Sequence, residues 1–204
     1  MSNVEIEEYL NSNGCEPIDM FKKWLREASN SEPVNPNACS LATAGKSGKP
    51  SVRMVLLKHV DEEGFIFYTN AKSRKGLDLK ENPWASLCFY WKSLGREVRV
   101  DGSVERVAGE LSDDYFSTRS RASQIGAWAS KQSCNLENRA LLESRVEEFT
   151  KKFENIRIPR PDFWCGYRIK HIKVEFWVEK ASRLHDRFVF NRTEGDWQID
   201  RLYP

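Results

Sequence analysis

The sequence predicts an α+β protein in which an antiparallel meander closes into a barrel and helices pack on its outside. Three observations carry this expectation. Runs rich in β-branched and aromatic residues recur at short intervals from residue 38 onward. Turn-forming clusters separate most of them. Helical apolar spacing is confined chiefly to the start and the middle of the chain.

Residues 1–15 are polar and are expected to form a flexible N-terminal segment, leaving 16–204 as a single domain. Ile18, Phe21, Leu25 and Ala28 recur at helical spacing, predicting a helix to about Ser29 that SEPVNPN (31–37) ends. Strands follow at 38–44, 51–59, 64–70, 84–92 and 96–107, with turns GKSGKP (45–50), DEEG (61–64) and SLG (93–95) between them. One helix interrupts the series: Ser73 is its expected N-cap, Leu77 and Leu79 follow, and Pro83 stops it. Short helices are expected at 110–118 and 123–131. A longer one at 136–153 carries Leu136, Ala140, Leu142, Val146, Phe149 and Phe153 along one stripe. Strand character returns in FWCGYRI, KVEFWV, RFVFNR and WQIDRLY, which gives seven to nine strands in all.

Composition narrows the function. Lys and Arg number 32 against 30 Asp and Glu, a net of +2, which argues against a generally basic nucleic-acid binder. Five scattered cysteines without a C-x-x-C pair read as free thiols of a reducing compartment. Three histidines make a histidine-rich metal site unexpected, and no metal is assigned. No run approaches the roughly 18 apolar residues of a membrane span. No basic-then-apolar leader opens the chain, so a cytoplasmic protein is expected. The sequon at Asn191-Arg192-Thr193 is expected to be idle there.

Four cationic constellations could carry chemistry. In an extended chain Arg183, His185 and Arg187 would share one face, where they repel each other unless an anion lies between them. The bland reading is a solvated edge strand neutralised by Asp186. Arg74 and Lys75 follow Ser73 in a first helical turn, where basic residues run against the dipole unless a phosphate binds. Arg53 and Lys58 punctuate an apolar strand on opposite faces, so they would serve two anions, or merely snorkel at strand ends. Tyr115, Arg119 and Ser123 would be neighbours on a continuous helix and could grip a phosphate. There is no G-x-G-x-x-G, Walker loop, G-x-S-x-G or H-E-x-x-H motif. The clusters and aromatics together suggest a flat, phosphorylated ligand, or two.

At these residues the sequence resembles the pyridoxamine 5′-phosphate oxidase family. The matching stretches are RMVLLK (53–58), FYTN–SRK (67–75), REVRVDG (96–102), SQIGAWASKQS (123–133), FWCGYR (163–168), EFW (175–177), RLHDR (183–187) and the terminal DRLYP. The resemblance implies a split β-barrel homodimer with FMN at the subunit interface. It implies oxidation of pyridoxamine or pyridoxine 5′-phosphate to pyridoxal 5′-phosphate, hydride passing from C4′ to flavin N5 and O₂ reoxidising the flavin to give H₂O₂. By motif, Arg53, Met54, Val55, Leu56, Tyr68, Thr69, Arg74, Lys75, Glu97, Gln132, Ser133, Trp177 and Arg187 fall at flavin-associated positions. Lys58, Tyr115, Arg119 and Ser123 are expected at the substrate phosphate. Arg183, Leu184 and His185 are expected at its ring, with Arg183 and His185 in the catalytic role.

Several residues depart from the family pattern. Glu97 stands where Gln is usual, and a carboxylate lacks the amide donor and opposes a reduced, anionic flavin unless protonated or turned away. Cys165 replaces a usual Gly and Ser120 a usual Pro, while Val178-Glu179 stand where Gln-Gly is common. A basic segment ahead of the first helix is not recognisable. These departures motivate an alternative, a family member that keeps FMN or pyridoxal phosphate but turns over weakly or not at all.

Overall fold

Among the described residues, nine antiparallel strands roll into one forked sheet around an aromatic core, with six α-helices packed against it. The structure, a computed structural model, describes residues 3–10 and 14–204. The flexibility expected of residues 1, 2 and 11–13 lies outside the described residues. Residues 3–10 form a helix, α1 (Asn3–Leu10), that the sequence reading did not anticipate; its Ile6 reaches the core.

Helix α2 (Pro17–Ser31) starts on a proline, whose missing N–H costs nothing in a first turn. Its buried stripe is Ile18, Phe21, Trp24 and Ala28, with Pro17 and Met20 beside it, so the face is rotated from the expected one and Leu25 is only half-buried. Phe21 meets Phe65 and Phe89 edge-on at 4.9 and 5.0 Å, and Trp24 meets Phe176 at 5.1 Å. This helix plugs the barrel.

The strands are β1 (Ala38–Ala44), β2 (Pro50–Leu56), β3 (His59–Asp61), β4 (Gly64–Asn70), β5 (Trp84–Trp91), β6 (Arg96–Arg106), β7 (Trp164–Val178), β8 (Asp186–Arg192) and β9 (Trp197–Arg201). Their order is β2-β1-β5-β6-β7-β4-β3, with β8 on β7 and β9 on β8. The run 51–59, expected as one strand, breaks after Leu56. Leu57 N–H donates to Asn37 O and Lys58 N–H to Ile66 O, so the chain leaves β1 for β4 at this corner. The ends of the path, β2 and β3, are thus consecutive in the chain.

Conversely, two expected strands merge into the fifteen-residue β7. Its length gives one edge room for two partners, β4 against Trp164–Ile169 and β8 against Lys173–Val178. A bulge at Asp101/Gly102 lets β6 follow it along the other edge. Only glycine fits at 102, because a Cβ there would meet Lys170 O at 2.2 Å.

Helices α4 (Gly109–Thr118), α5 (Arg121–Ala129) and α6 (Arg139–Lys152) cover the β4–β7 region through a second cluster of Phe116, Ile125, Phe153, Ile158 and Trp164. The stripe expected on α6 is mostly solvent-facing. Only Phe153, just past its end, is buried: of the stripe only Phe149 and Phe153 meet the Trp128 ring of α5, which α6 otherwise contacts through Lys152 over that ring and Arg145 bonded to Ala129 O. All five cysteines are free thiols.

Candidate active site

Helix α3 (Arg74–Glu81) organises the first cluster. Ser73 occupies its N-cap position, but its hydroxyl donates to Asn70 O at 2.6 Å and caps nothing, contrary to expectation. The first-turn N–H groups are therefore free of a side-chain cap and point at a cationic pocket. Arg53 faces the core side of β2, donating to Thr43 Oγ1 at 2.6 Å and to Ser51 Oγ at 2.8 Å. Arg74 donates to Asp78 at 2.8 Å, and Arg53 lies 3.8 Å from the same carboxylate. Lys75 is 6% exposed and bonds only hydroxyls, Thr69 at 3.2 Å and Ser73 at 3.4 Å. Burial, then the charge of Arg53, pushes the Lys75 pKa down. Thr69 donates to Gln132 Oε1 at 3.3 Å, which ties the 130–134 loop to the pocket; Ser133 beside it adopts a left-handed backbone. Arg53 and Arg74 share the carboxylate of Asp78 while Lys75 has no carboxylate partner among the described residues, and the excess charge suits a phosphate dianion.

Thr69 and Tyr68 alternate across β4, so Tyr68 faces the opposite side and enters a second cluster. Its ring stacks on Tyr115 at 4.2 Å and on Trp164 at 5.2 Å. Arg119 lies over Trp164 at 5.0 Å, and its buried Nη1 has no hydrogen-bond partner. Burial lowers the pKa of this guanidinium. An unpaired buried donor of this kind calls for an anion. The continuous helix assumed for Tyr115, Arg119 and Ser123 does not exist. Arg119 is the extended residue that ends α4, and Ser120 caps α5, accepting from Ser123 N–H and donating to Ser123 Oγ at 2.8 Å. A turn rather than a helix face joins them: Tyr115 and Arg119 meet at the Trp164 ring, and Ser123 is bonded to Ser120 in the turn.

The third cluster lies on the outer face of β6, β7 and β8. Glu97, Trp177 and Arg187 are direct partners across these strands and so share one face, opposite the fully buried Val98 and Phe176. His185 packs on Trp177 with ring centroids 4.5 Å apart, and its Nδ1 accepts from Lys180 N–H at 3.2 Å. That bond leaves Nε2 as the nitrogen that carries a proton in the neutral ring. Arg187 donates to Glu175 at 2.7 Å and to Tyr203 O at 2.9 Å. The extended geometry expected for 183–187 is not found. Ser182 and Arg183 both have left-handed backbones, with φ of 58° and 62°, and β8 begins only at Asp186. Two consecutive non-glycine residues in this region store strain that concentrates at functional turns. Asp186 pairs with Lys180 at 3.1 Å.

Lys58, Arg183 and Leu184 are exposed, and their side chains make no bond among the described residues. Met54 and Leu56 project outward from β2 beside Val52, whereas Val55 points inward. The sequence reading missed Thr43, Asp78, Trp164, Arg99 and Glu175. Asp78 could have been found four residues after Arg74, and Glu175 as the lone carboxylate in an apolar strand run.

The second and third clusters occupy the two halves of β7. Trp164 and Trp177 are thirteen residues apart, about 40 Å measured along the strand.

Residues 25–153 match the family model of pyridoxamine 5′-phosphate oxidase. The chain belongs to the pyridoxamine 5′-phosphate oxidase family. Residues 164–204 match the pyridoxine 5′-phosphate oxidase C-terminal dimerisation region, which supports a homodimer. The pyridoxine/pyridoxamine 5′-phosphate oxidases of Brucella canis and Brucella abortus are each 51% identical over 195 residues. These cover 95% of this chain and 96% and 94% of those proteins. Among solved structures, PhzG from Burkholderia lata, in complex with tetrahydrophenazine-1-carboxylic acid, superposes with a TM-score of 0.90 at 33% identity, covering 97% of this chain and 96% of that one. A pyridoxamine 5′-phosphate oxidase-related, FMN-binding protein from Nostoc punctiforme reaches 0.75 at 15% identity over 93% and 98% of the two chains, a likeness of fold. These neighbours agree with the split-barrel architecture of the forked sheet. Among the described residues, no helix is long and apolar enough to cross a membrane.

Proposed function

We propose that this chain is an FMN-dependent oxidase converting pyridoxamine and pyridoxine 5′-phosphates to pyridoxal 5′-phosphate, with each flavin held between two copies. The observation that carries the reading is the pair of cationic pockets on opposite sides of β4, one at Lys75 and one at Arg119. Two phosphates, one of cofactor and one of substrate, need two such pockets.

Arg53, Thr69, Arg74 and Lys75 would hold the FMN phosphate, with Gln132 and Ser133 closing the pocket. Tyr115, Arg119 and Ser123 would hold the substrate phosphate, with Lys58 reaching in from the β2–β3 corner. Arg183 and His185 would flank the substrate ring, yet they sit at the far half of β7 from Arg119. A substrate of one ring and one phosphate cannot span that distance within one chain, so a second copy must bring them. Bound FMN would supply the redox chemistry, accepting hydride from C4′ and passing two electrons to O₂ to give H₂O₂; with the amine substrate, water would then supply the aldehyde oxygen as ammonia leaves. The protein's part is orientation, worth several kcal/mol when reacting atoms are held close. Arg183 would steady developing charge, and His185 Nε2 would offer a hydrogen bond.

Purified protein should be yellow and should form pyridoxal 5′-phosphate from both phosphorylated substrates with O₂ uptake. Colourless protein that stays inactive after FMN is added would overturn the proposal. Weak turnover with intact flavin binding would instead favour the binding-protein reading that Glu97 motivates. The Arg99 guanidinium, 3.2 Å from Glu97, weakens that motive.

A further inference from the structure

Behind the row of Glu97, Trp177 and Arg187 runs a second row two residues along the same strands. Cys88, Arg99 and Glu175 face each other there across β5, β6 and β7. Glu175 is 3% exposed, deeper than any other carboxylate on this face, and a carboxylate so buried must be paired. Its Oε1 accepts from Arg187 Nε at 2.7 Å and also from Arg99 Nη2. Burial works against its ionisation, but the bond from Arg187 and the charge of Arg99 outweigh it and hold the carboxyl below its ordinary range. The other side of Arg99 faces Glu97 as an ion pair, Nε 3.2 Å from Glu97 Oε1 but without a hydrogen bond between them. Carboxylates and guanidiniums thus alternate in the order Glu97, Arg99, Glu175, Arg187, and their charges cancel.

This arrangement answers the difficulty raised by a carboxylate at position 97. Among the described residues, Arg99 is the only cation within ion-pair distance of Glu97. Glu175, by contrast, has two partners and would keep Arg187 if Arg99 were lost.

We propose that Arg99 is a positioning residue: it neutralises and turns Glu97 so that a carboxylate can stand on the flavin-facing row beside Trp177 and Arg187. The proposal rests on the flavin reading above. It makes a specific demand, namely that the harm done by removing Arg99 be routed through Glu97. A residue needed only for folding would do equal harm whatever stood at position 97.

The test is a double-mutant cycle on FMN affinity, read by quenching of flavin fluorescence, with the midpoint potential of the bound flavin as a second readout. Arg99→Leu should weaken FMN binding more than about tenfold in the wild-type background and less than about threefold in a Glu97→Gln background. The bare carboxylate opposes the reduced, anionic flavin more than the oxidised one. The potential of Arg99→Leu should therefore fall by about 30 mV for each tenfold of that preference, and the double variant should recover it. Equal losses in both backgrounds, or no loss in either, would overturn the proposal. If Arg99→Leu does not fold, Arg99→Gln in the same two backgrounds carries the same two outcomes. Wild-type protein that binds no FMN at all would instead overturn the flavin reading beneath it, so the two failures are distinguishable.

Discussion

Replacing His171 with Phe should flatten the acid limb of the stability curve. His171 lies on β7 with 8% of its surface exposed, stacked on Trp197 at 5.3 Å and edge-on to Phe65 at 5.7 Å. Its Nδ1 is buried without a partner, so the ring is held neutral. Burial first, then the charge of Arg192, pushes its pKa down to about 4 from 6.5, against a smaller opposing pull from Asp61. A depressed histidine binds its proton more readily when unfolded. Its stabilising contribution is therefore full above pH 6.5 and is lost as pH falls toward 4. At about 1.4 kcal/mol per pH unit across that window, the loss is on the order of 3 kcal/mol. Phe fills the same slot, keeps both ring contacts and cannot titrate. Urea midpoints measured from pH 7.5 down to 4 at fixed protein concentration should drop more steeply for wild type than for His171→Phe. Carboxylate titrations are common to both proteins and cancel in the difference. Parallel curves would refute the reasoning, because they would mean the imidazole is protonated or solvated in the folded protein.

Other outcomes follow from the clusters. Arg119→Ala should raise KM for pyridoxamine 5′-phosphate more than about tenfold, since it removes a charge-assisted donor. The same variant should leave turnover of unphosphorylated pyridoxamine unchanged, so steady-state kinetics on both amines checks the assignment. Arg187→Ala should weaken FMN binding more than about tenfold by leaving Glu175 and the ligand short of a partner; a fluorescence titration matching wild type would show the residue is misplaced. Gly166→Ala would put a Cβ 2.5 Å from Val107 Cγ2 and 2.7 Å from Tyr68 Cε1. It should cost about 1–3 kcal/mol by thermal unfolding and disturb the Tyr68–Tyr115 stack.

The strands were legible because β-branched and aromatic runs between glycine-rich turns leave few alternatives, and β1, β4 and β5 fall within a residue of expectation. What local pattern could not show is where a strand changes partner. The break after Leu56 and the unbroken passage through β7 are decided by closure of the sheet, a tertiary matter. Likewise α6 has a good stripe in sequence, but its neighbour supplies one ring to receive it. Most cationic residues of the site were visible as charges out of place, Arg99 being the exception. Their counterparts were not, since Asp78 and Glu175 look like ordinary acids until the fold buries them. The turn at Ser182-Arg183 was misread as extended because alternation assumes a β backbone, which left-handed residues do not have.

The placement of two clusters on opposite halves of β7 has a genetic meaning. On the proposed arrangement each chain lends one half of its equipment to one pocket and the other half to the second pocket. A chain crippled at Arg119 and a chain crippled at Trp177 would each be inactive when paired with itself. Paired with one another, they assemble one pocket from two sound halves and collect both defects in the other. Two defective alleles could thus rescue each other in a mixed cell, a behaviour built into the length of a single strand.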